Sequence, residues 1–405
     1  TPIDAEAVRV NLERVRDPRT KSLRGGEVGT IDTVETLSAR TLKIRLKVPF
    51  AAFLFPLSDM AGCVASPAAL QRWGADYGMH PVGGGPFRFV EYRKDGHTVL
   101  ERNPGYWQAG KPLLDRVVLR PIPVDSSRLA ELRSGGVQLC EGLPMQDVRR
   151  LRQSPELAVS EKVGFRWQHF AFNCRPQYPG SSQKFRQAFQ WAIDREALRQ
   201  VVYFGTGSVA YDGVLPGTPF FDPEYRPFTH DLERARRLMD ESGVKTPVVM
   251  KTPLREDPVM LRAAQVLKDT AEKLDVKLEI EPVDAAASQA RIQQGTNPLN
   301  IQGWWGYRPD PDQYLFTLLH STGTWARYFG YANPKMDALL EAERAARVPA
   351  ERHRIFRAIS ELMNEDAPYV SWHFGSDFKG LSPKVEGFVH YQDSLVAYED
   401  LSLRA

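Results

Sequence analysis

Asp310 and Asp312 stand two residues apart, alternating with Pro309 and Pro311, just after the run Gly303-Trp304-Trp305-Gly306-Tyr307-Arg308. Paired carboxylates can do general acid/base work, but between prolines they more often make helix caps and Asx turns, and Tyr314-Leu315-Leu318-Leu319 marks a helix for one of them to cap. The histidines at 80, 97, 169, 230, 320, 353, 373 and 390 are scattered, with no H-E-x-x-H and no helical pair, so metal chemistry has no ligand set. Ser208 lies in Gly205-Thr206-Gly207-Ser208 without a G-x-S-x-G elbow or an identifiable base. No catalytic constellation is present, no cofactor is implied, and the chain is expected not to be an enzyme.

Binding chemistry remains. Trp304, Trp305 and Tyr307 can cover a solute at low entropy cost while the prolines hold the backbone extended; the competing reading of these rings is ordinary core packing. Arg255, in a loop between a strand and a helix, and His373 beside Trp372 are candidate polar anchors, and a guanidinium fork suits a carboxylate. Their competing readings are a solvated loop charge and a satisfied imidazole.

These residues need a scaffold. The 405 residues exceed one hydrophobic core and should form two or three lobes. A hydrophobic content of 42%, a charged content of 25% and a net charge of +3 are those of an ordinary globular protein and recommend neither a nucleic-acid groove nor an anionic membrane as partner. No apolar run spans a membrane and the N-terminus lacks a secretion signal, so the chain reads as a mature or truncated soluble one. Cys63, Cys140 and Cys174 permit at most one disulfide and offer no C-x-x-C pair.

Asp4 is placed to cap a helix with the stripe Val8, Leu12 and Val15, and Leu42, Ile44, Leu46 and Val48 alternate with basic residues as a half-buried strand. Pro81-Val82-Gly83-Gly84-Gly85-Pro86 is the strongest glycine cluster and predicts unusual dihedrals or a close approach of backbone to a neighbouring group. Short strands follow at Phe87–Val90, Thr98–Leu100 and Val117–Leu119. From Lys184 a helical period runs through Phe185, Ala188, Phe189, Ala192 and Ile193 to Leu198 and Val201. Asp257 and Pro258 open another helix that leads into the strand Val276-Leu278-Ile280, and helices are expected from Pro334 to Ala346 and from Pro349 to Met363. Mixed elements of this kind imply an α/β or α+β protein.

Several segments, in order, resemble one family: the extracytoplasmic solute-binding proteins of ABC importers in the dipeptide, oligopeptide and nickel class (family 5). They are Thr1-Pro2-Ile3-Asp4-Ala5-Glu6-Ala7-Val8, Pro81 to Phe87, Leu100-Glu101-Arg102-Asn103-Pro104-Gly105-Tyr106-Trp107, Arg186-Gln187-Ala188 with Ala192-Ile193-Asp194-Arg195, Pro309-Asp310-Pro311-Asp312, and Tyr331-Ala332-Asn333-Pro334-Lys335-Met336-Asp337. The resemblance implies a periplasmic-binding-protein-like α/β fold (cluster C type), with two hinged lobes and a smaller extra domain. On its mapping, residues 1–80 are the remainder of the small domain, 81–212 lobe I, 213–382 lobe II and 383–405 the return to lobe I. The glycine cluster then falls at a domain crossing, and the family's first segment is missing.

The resemblance also implies a small-molecule or short-peptide ligand held between the lobes, a monomer that delivers it to a membrane ABC permease, a periplasmic or extracytoplasmic location, and no nucleic-acid partner. Tyr307 replaces an Asp that grips the ammonium group of peptides in the family, and losing one partner of such a pair costs about 2–5 kcal/mol. Arg255 falls within one residue of the family's carboxylate-binding Arg. The expected solute is therefore peptide-like and carboxylate-bearing, with a metal chelate or an opine as alternatives; chemosensing or chaperone-like holding on the same fold is the alternative role. Tyr211, Trp167 and Asn173 occupy positions that tend to face the family's cleft, and Gly84 and Gly85 complete the candidate ligand-binding set.

Overall fold

The computed structural model describes residues 2–305 and 308–404. Their contacts define two compact units, Thr1–Lys162 with Phe378–Ala405, and Val163–Asp377.

In the first unit, the Asp4 carboxylate accepts the Ala7 N–H at 2.8 Å and so caps α1 (Ala5–Arg16). Leu12 packs α1 onto Ile31 and Val34 of the hairpin β1 (Ile31–Ser38) and β2 (Thr41–Leu46), with Leu42, Ile44 and Leu46 turned inward as their alternation requires. Val48 lies beyond the strand and is exposed. Short helices α2 (Leu54–Leu57) and α3 (Pro67–Trp73) lead to the glycine cluster. Contrary to the expectation of unusual dihedrals, none of Gly83, Gly84 and Gly85 has positive φ. Gly84 packs closely on the Ile3 side chain, whose terminal methyl a Cβ there would displace. A meander of β3 (Phe87–Arg93), β4 (His97–Arg102) and β5 (Arg116–Leu119) follows. Leu129 and Leu132 of α4 (Asp125–Ser134), Cys140 of β6 (Leu139–Glu141) and Val148 and Leu151 of α5 (Val148–Leu151) form a second small core. The chain leaves this unit within β7 (Ala158–Phe172).

In the second unit, the helical period from Lys184 resolves into α6 (Gln183–Ala192) and α7 (Arg195–Tyr203). Ile193 is extended, and Asp194 accepts the Ala197 N–H to start α7 afresh, which turns Val201 out to solvent. Buried Arg195 donates to the carbonyls of Gln190, Ala210 and Ser371, tying both helices to the sheet. After β8 (Ser208–Val209) and α8 (Leu232–Glu241), the parallel pair β9 (Val248–Arg255) and β10 (Val276–Val283) is joined by α9 (Pro258–Glu272), whose first N–H groups bond Asp257 as expected. Then come α10 (Ala285–Gln294), β11 (Leu299–Trp305), α11 (Asp312–Leu319), α12 (Thr324–Phe329), α13 (Pro334–Ala345) and α14 (Pro349–Asp366). The last two fall where their prolines predict. β12 (Tyr369–Leu381), buried along its whole length, starts here and ends in the first unit, which closes with the hairpin β13 (Val385–Glu386) and β14 (Ser402–Leu403). Strand order is β11-β7-β12-β6, with β8 also on β12. Tyr314, Leu315, Leu318, Phe356, Ile359, Met363, Tyr369 and Trp167 belong to one core of this unit.

Among the described residues, no helix is long and apolar enough to cross a membrane, and no three His, Cys, Asp or Glu side chains gather as a metal site. The three cysteines are free thiols.

Candidate functional site

β11 runs antiparallel to β7, with Trp304 opposite Trp167 and Trp305 opposite Arg166. Successive side chains of a strand point to opposite faces, so the two tryptophans cannot line one surface. Trp304 turns inward against Trp325 and Tyr314, with ring centroids 5.7 and 6.5 Å away. Trp305 turns outward, is 50% exposed, and carries the Arg166 guanidinium 3.8 Å from its ring centroid. Gly375 leaves room for this arrangement, because a Cβ there would lie 3.2 Å from Arg166 Cβ. Arg166 Nη2 also lies 3.8 Å from Asp377 Oδ1. A guanidinium stacked by its face on an indole still directs its N–H bonds outward in its own plane, the geometry that meets a carboxylate edge-on.

Tyr307 lies outside the described residues. Beyond it, Asp310 Oδ1 accepts the Asp312 N–H at 3.1 Å, the Asx turn that leads into α11. Both carboxylates are buried and ion-paired: Arg352 Nη1 and Nη2 donate to Asp310 Oδ2 and Oδ1 at 2.8 and 3.0 Å, and Arg344 Nε donates to Asp312 Oδ1 at 2.5 Å. An exposed acid/base pair is thus not formed.

Arg255 is the exposed last residue of β9, a strand that packs against β11. Tyr211 is half-buried, its ring centroid 5.3 Å from the Arg195 guanidinium. Trp167 and Trp372 are fully buried and donate to Ser371 Oγ and the Tyr203 hydroxyl at 2.9 and 3.1 Å. His373 stacks on Tyr203 with centroids 3.6 Å apart and bonds Gln168 and the Thr206 carbonyl; burial pushes its imidazole down to about 4. Asn173 donates to the carbonyls of Gly295 and Asn297 and accepts from Arg175. Gly84 and Gly85 belong to the first unit, where Gly84 packs on Ile3. Of the sequence candidates, Trp304 and Trp305 lie at the end of β11 and Arg255 at the end of β9, two strands that pack against each other, while Trp167, Trp372, His373 and Asn173 are buried.

The model of the bacterial extracellular solute-binding proteins, family 5 (middle) matches residues 1–326. The chain is a family 5 solute-binding protein. The glutathione-binding protein GsiB of Pectobacterium atrosepticum is 30% identical over 99% of this chain and 79% of its own length, and that of Escherichia coli K12 is 28% identical over 100% and 80%. The fold is that of solved proteins of this class. The ABC transporter substrate-binding protein CtaP of Listeria monocytogenes superposes with a TM-score of 0.87 at 22% identity, covering 100% of this chain and 84% of its own. The protein AgaA of A. tumefaciens R10 in complex with agropinic acid does so with 0.83 at 22%, covering 100% and 84%. Relatives of this family 5 protein are binding components of ABC importers for peptides and related solutes, and not enzymes.

Sequence reasoning missed Arg166. Its signal was available: in Phe165-Arg166-Trp167-Gln168 a strand places Arg166 and Gln168 on the face opposite Trp167. It also missed Glu343, Arg344 and Arg352 as partners of the Pro-Asp-Pro-Asp turn, because no local rule connects positions as far apart as Asp312 and Arg344, 32 residues, or Asp310 and Arg352, 42 residues.

Proposed function

We propose that this family 5 protein captures a peptide or peptide-like, carboxylate-bearing solute on the outward face at the end of β11 and, as an extracytoplasmic monomer, hands it to its ABC permease. The observation that carries the reading is the half-exposed Trp305 ring with the Arg166 guanidinium laid on it. Indole offers apolar cover for a planar peptide group, and the guanidinium offers charge-assisted donors for a carboxylate. Arg255, exposed at the end of the neighbouring β9, supplies a second cation for a longer solute. The relatives named for glutathione, a tripeptide with two carboxylates, and the neighbour bound to agropinic acid support a solute of this chemistry.

Calorimetric titration with reduced glutathione, Met-Leu, agropinic acid and a nickel–histidine chelate tests this. At least one carboxylate-bearing member is expected to bind and to raise the melting temperature, with Arg166→Met and Trp305→Ala each weakening binding about tenfold or more. No heat and no thermal shift from any of the four, or unchanged affinity in both variants, would refute the reading.

A further inference from the structure

The turn after β11 is anchored in a buried cluster that solute contact alone does not call for. The side chains of Asp310, Asp312 and Glu343 are at most 3% exposed, and the two guanidinium groups of Arg352 and Arg344 serve all three carboxyl groups. Arg352 makes its bidentate bond to Asp310 with one edge; Nη2 also reaches Glu343 Oε2 at 2.6 Å and Nε the Glu343 carbonyl at 3.2 Å. Its flat faces are covered by Phe220 and Phe356, 4.8 and 5.2 Å away, and Arg344 lies 3.3 Å above the Phe316 ring. Carboxylates that share cations in a dry interior repel one another, and one of them is relieved by taking up a proton. Glu343 is that one. Burial first, then the neighbouring Asp312 carboxylate, hold its carboxyl well above the usual range. The other titratable or charged groups around the cluster are Arg308 on the same turn, Tyr314 on α11 and the buried Asp212.

We propose that Arg352 and Glu343 are positioning residues of the solute site, fixing through Asp310 and Asp312 the Asx turn at the start of α11, close in sequence to the Trp304–Trp305 end of β11. The proposal rests on the solute site assigned above. Geometry explains why a fork and a neutral acid are needed. Lysine cannot bond both oxygens of Asp310 and also reach Glu343, and an ionised Glu343 would push on the carboxylate that Arg344 holds. Glutamine at 343 keeps the shape without the charge.

Hydrogen exchange of the full chain, without solute, reads the positioning directly. Arg352→Lys is expected to speed exchange of residues 299–314 about tenfold or more relative to the rest of the second unit, and Glu343→Gln to leave it unchanged at pH 7. At alkaline pH, wild type should lose protection in this segment selectively while Glu343→Gln keeps it, a profile that a merely space-filling residue would not give. In the infrared, one protonated-carboxyl band present at neutral pH should vanish in Glu343→Gln, a measurement that does not depend on how well Arg352→Lys folds. With reduced glutathione as probe, Arg352→Lys should raise Kd about tenfold and Glu343→Gln less than about twofold. Wild-type exchange in Arg352→Lys, or a carboxyl band that persists in Glu343→Gln, overturns the proposal. Failure of the solute site itself shows separately, as Arg166→Met and Trp305→Ala variants that bind as wild type does.

Discussion

Trp304 and Trp305 are consecutive and chemically identical, yet one belongs to the core of the second unit and the other to its surface. The strand's two-residue period decides this, and every residue across from them follows: Trp167 joins Trp304 inward, Arg166 joins Trp305 outward. An aromatic run therefore does not make a wall. Half of it holds the unit together and half is presented to the surface.

The sharpest way to break this contrast is truncation of each ring. Trp304→Ala should lower unfolding stability by about 3 kcal/mol in urea titration, and Trp305→Ala by less than about 0.5 kcal/mol; similar losses would erase the distinction. For solute affinity the order reverses, with Trp305→Ala expected to cost about 2 kcal/mol, roughly 30-fold, in the calorimetric assay. Acid probes the inward side. His373 is held neutral by burial, its value moved from 6.5 down to about 4. Because the folded state resists protonation, the stability it contributes is complete above 6.5 and falls as pH drops toward 4, with a slope of at most about 1.4 kcal/mol per pH unit. His373→Gln should flatten that limb in thermal melts across the same range.

Glu343 has the opposite sign. Its raised folded value means that stability is highest below the ordinary carboxylate range and is lost as pH rises toward the shifted value, so Glu343→Gln should gain on wild type with increasing pH. A constant difference between the two proteins would show that the group carries no proton. The smallest effect belongs to Val201, 64% exposed on α7, where Val201→Thr should change stability by less than about 0.5 kcal/mol. A larger loss would mean that this helix buries the face its sequence period first suggests.

Local signals were legible wherever one residue acts on its near neighbours. Asp4 and Asp257 cap the helices they precede, Pro334 and Pro349 open theirs, and the family segments from Thr1 to Asp337 gave the fold. Asp194 misled in the other direction: the apolar period continues across it, but its side chain bonds to the Ala197 N–H and splits one expected helix into α6 and α7. Of the two readings of the glycine cluster at 83–85, unusual dihedrals or a close approach, the close approach is found at Gly84, which packs on Ile3, and none of the three has positive φ.

By itself the sequence determined those helices and strands that carry a cap, a proline or a clear apolar period, because these act within a few residues, and it determined the family, because the motifs keep their order. It could not determine which rings and charges meet. Arg166 stacks on a tryptophan 139 positions later, and Asp310 pairs with Arg352 42 positions later. Strand register and helix packing bring those partners together, and both are properties of the assembled unit and of no segment within it.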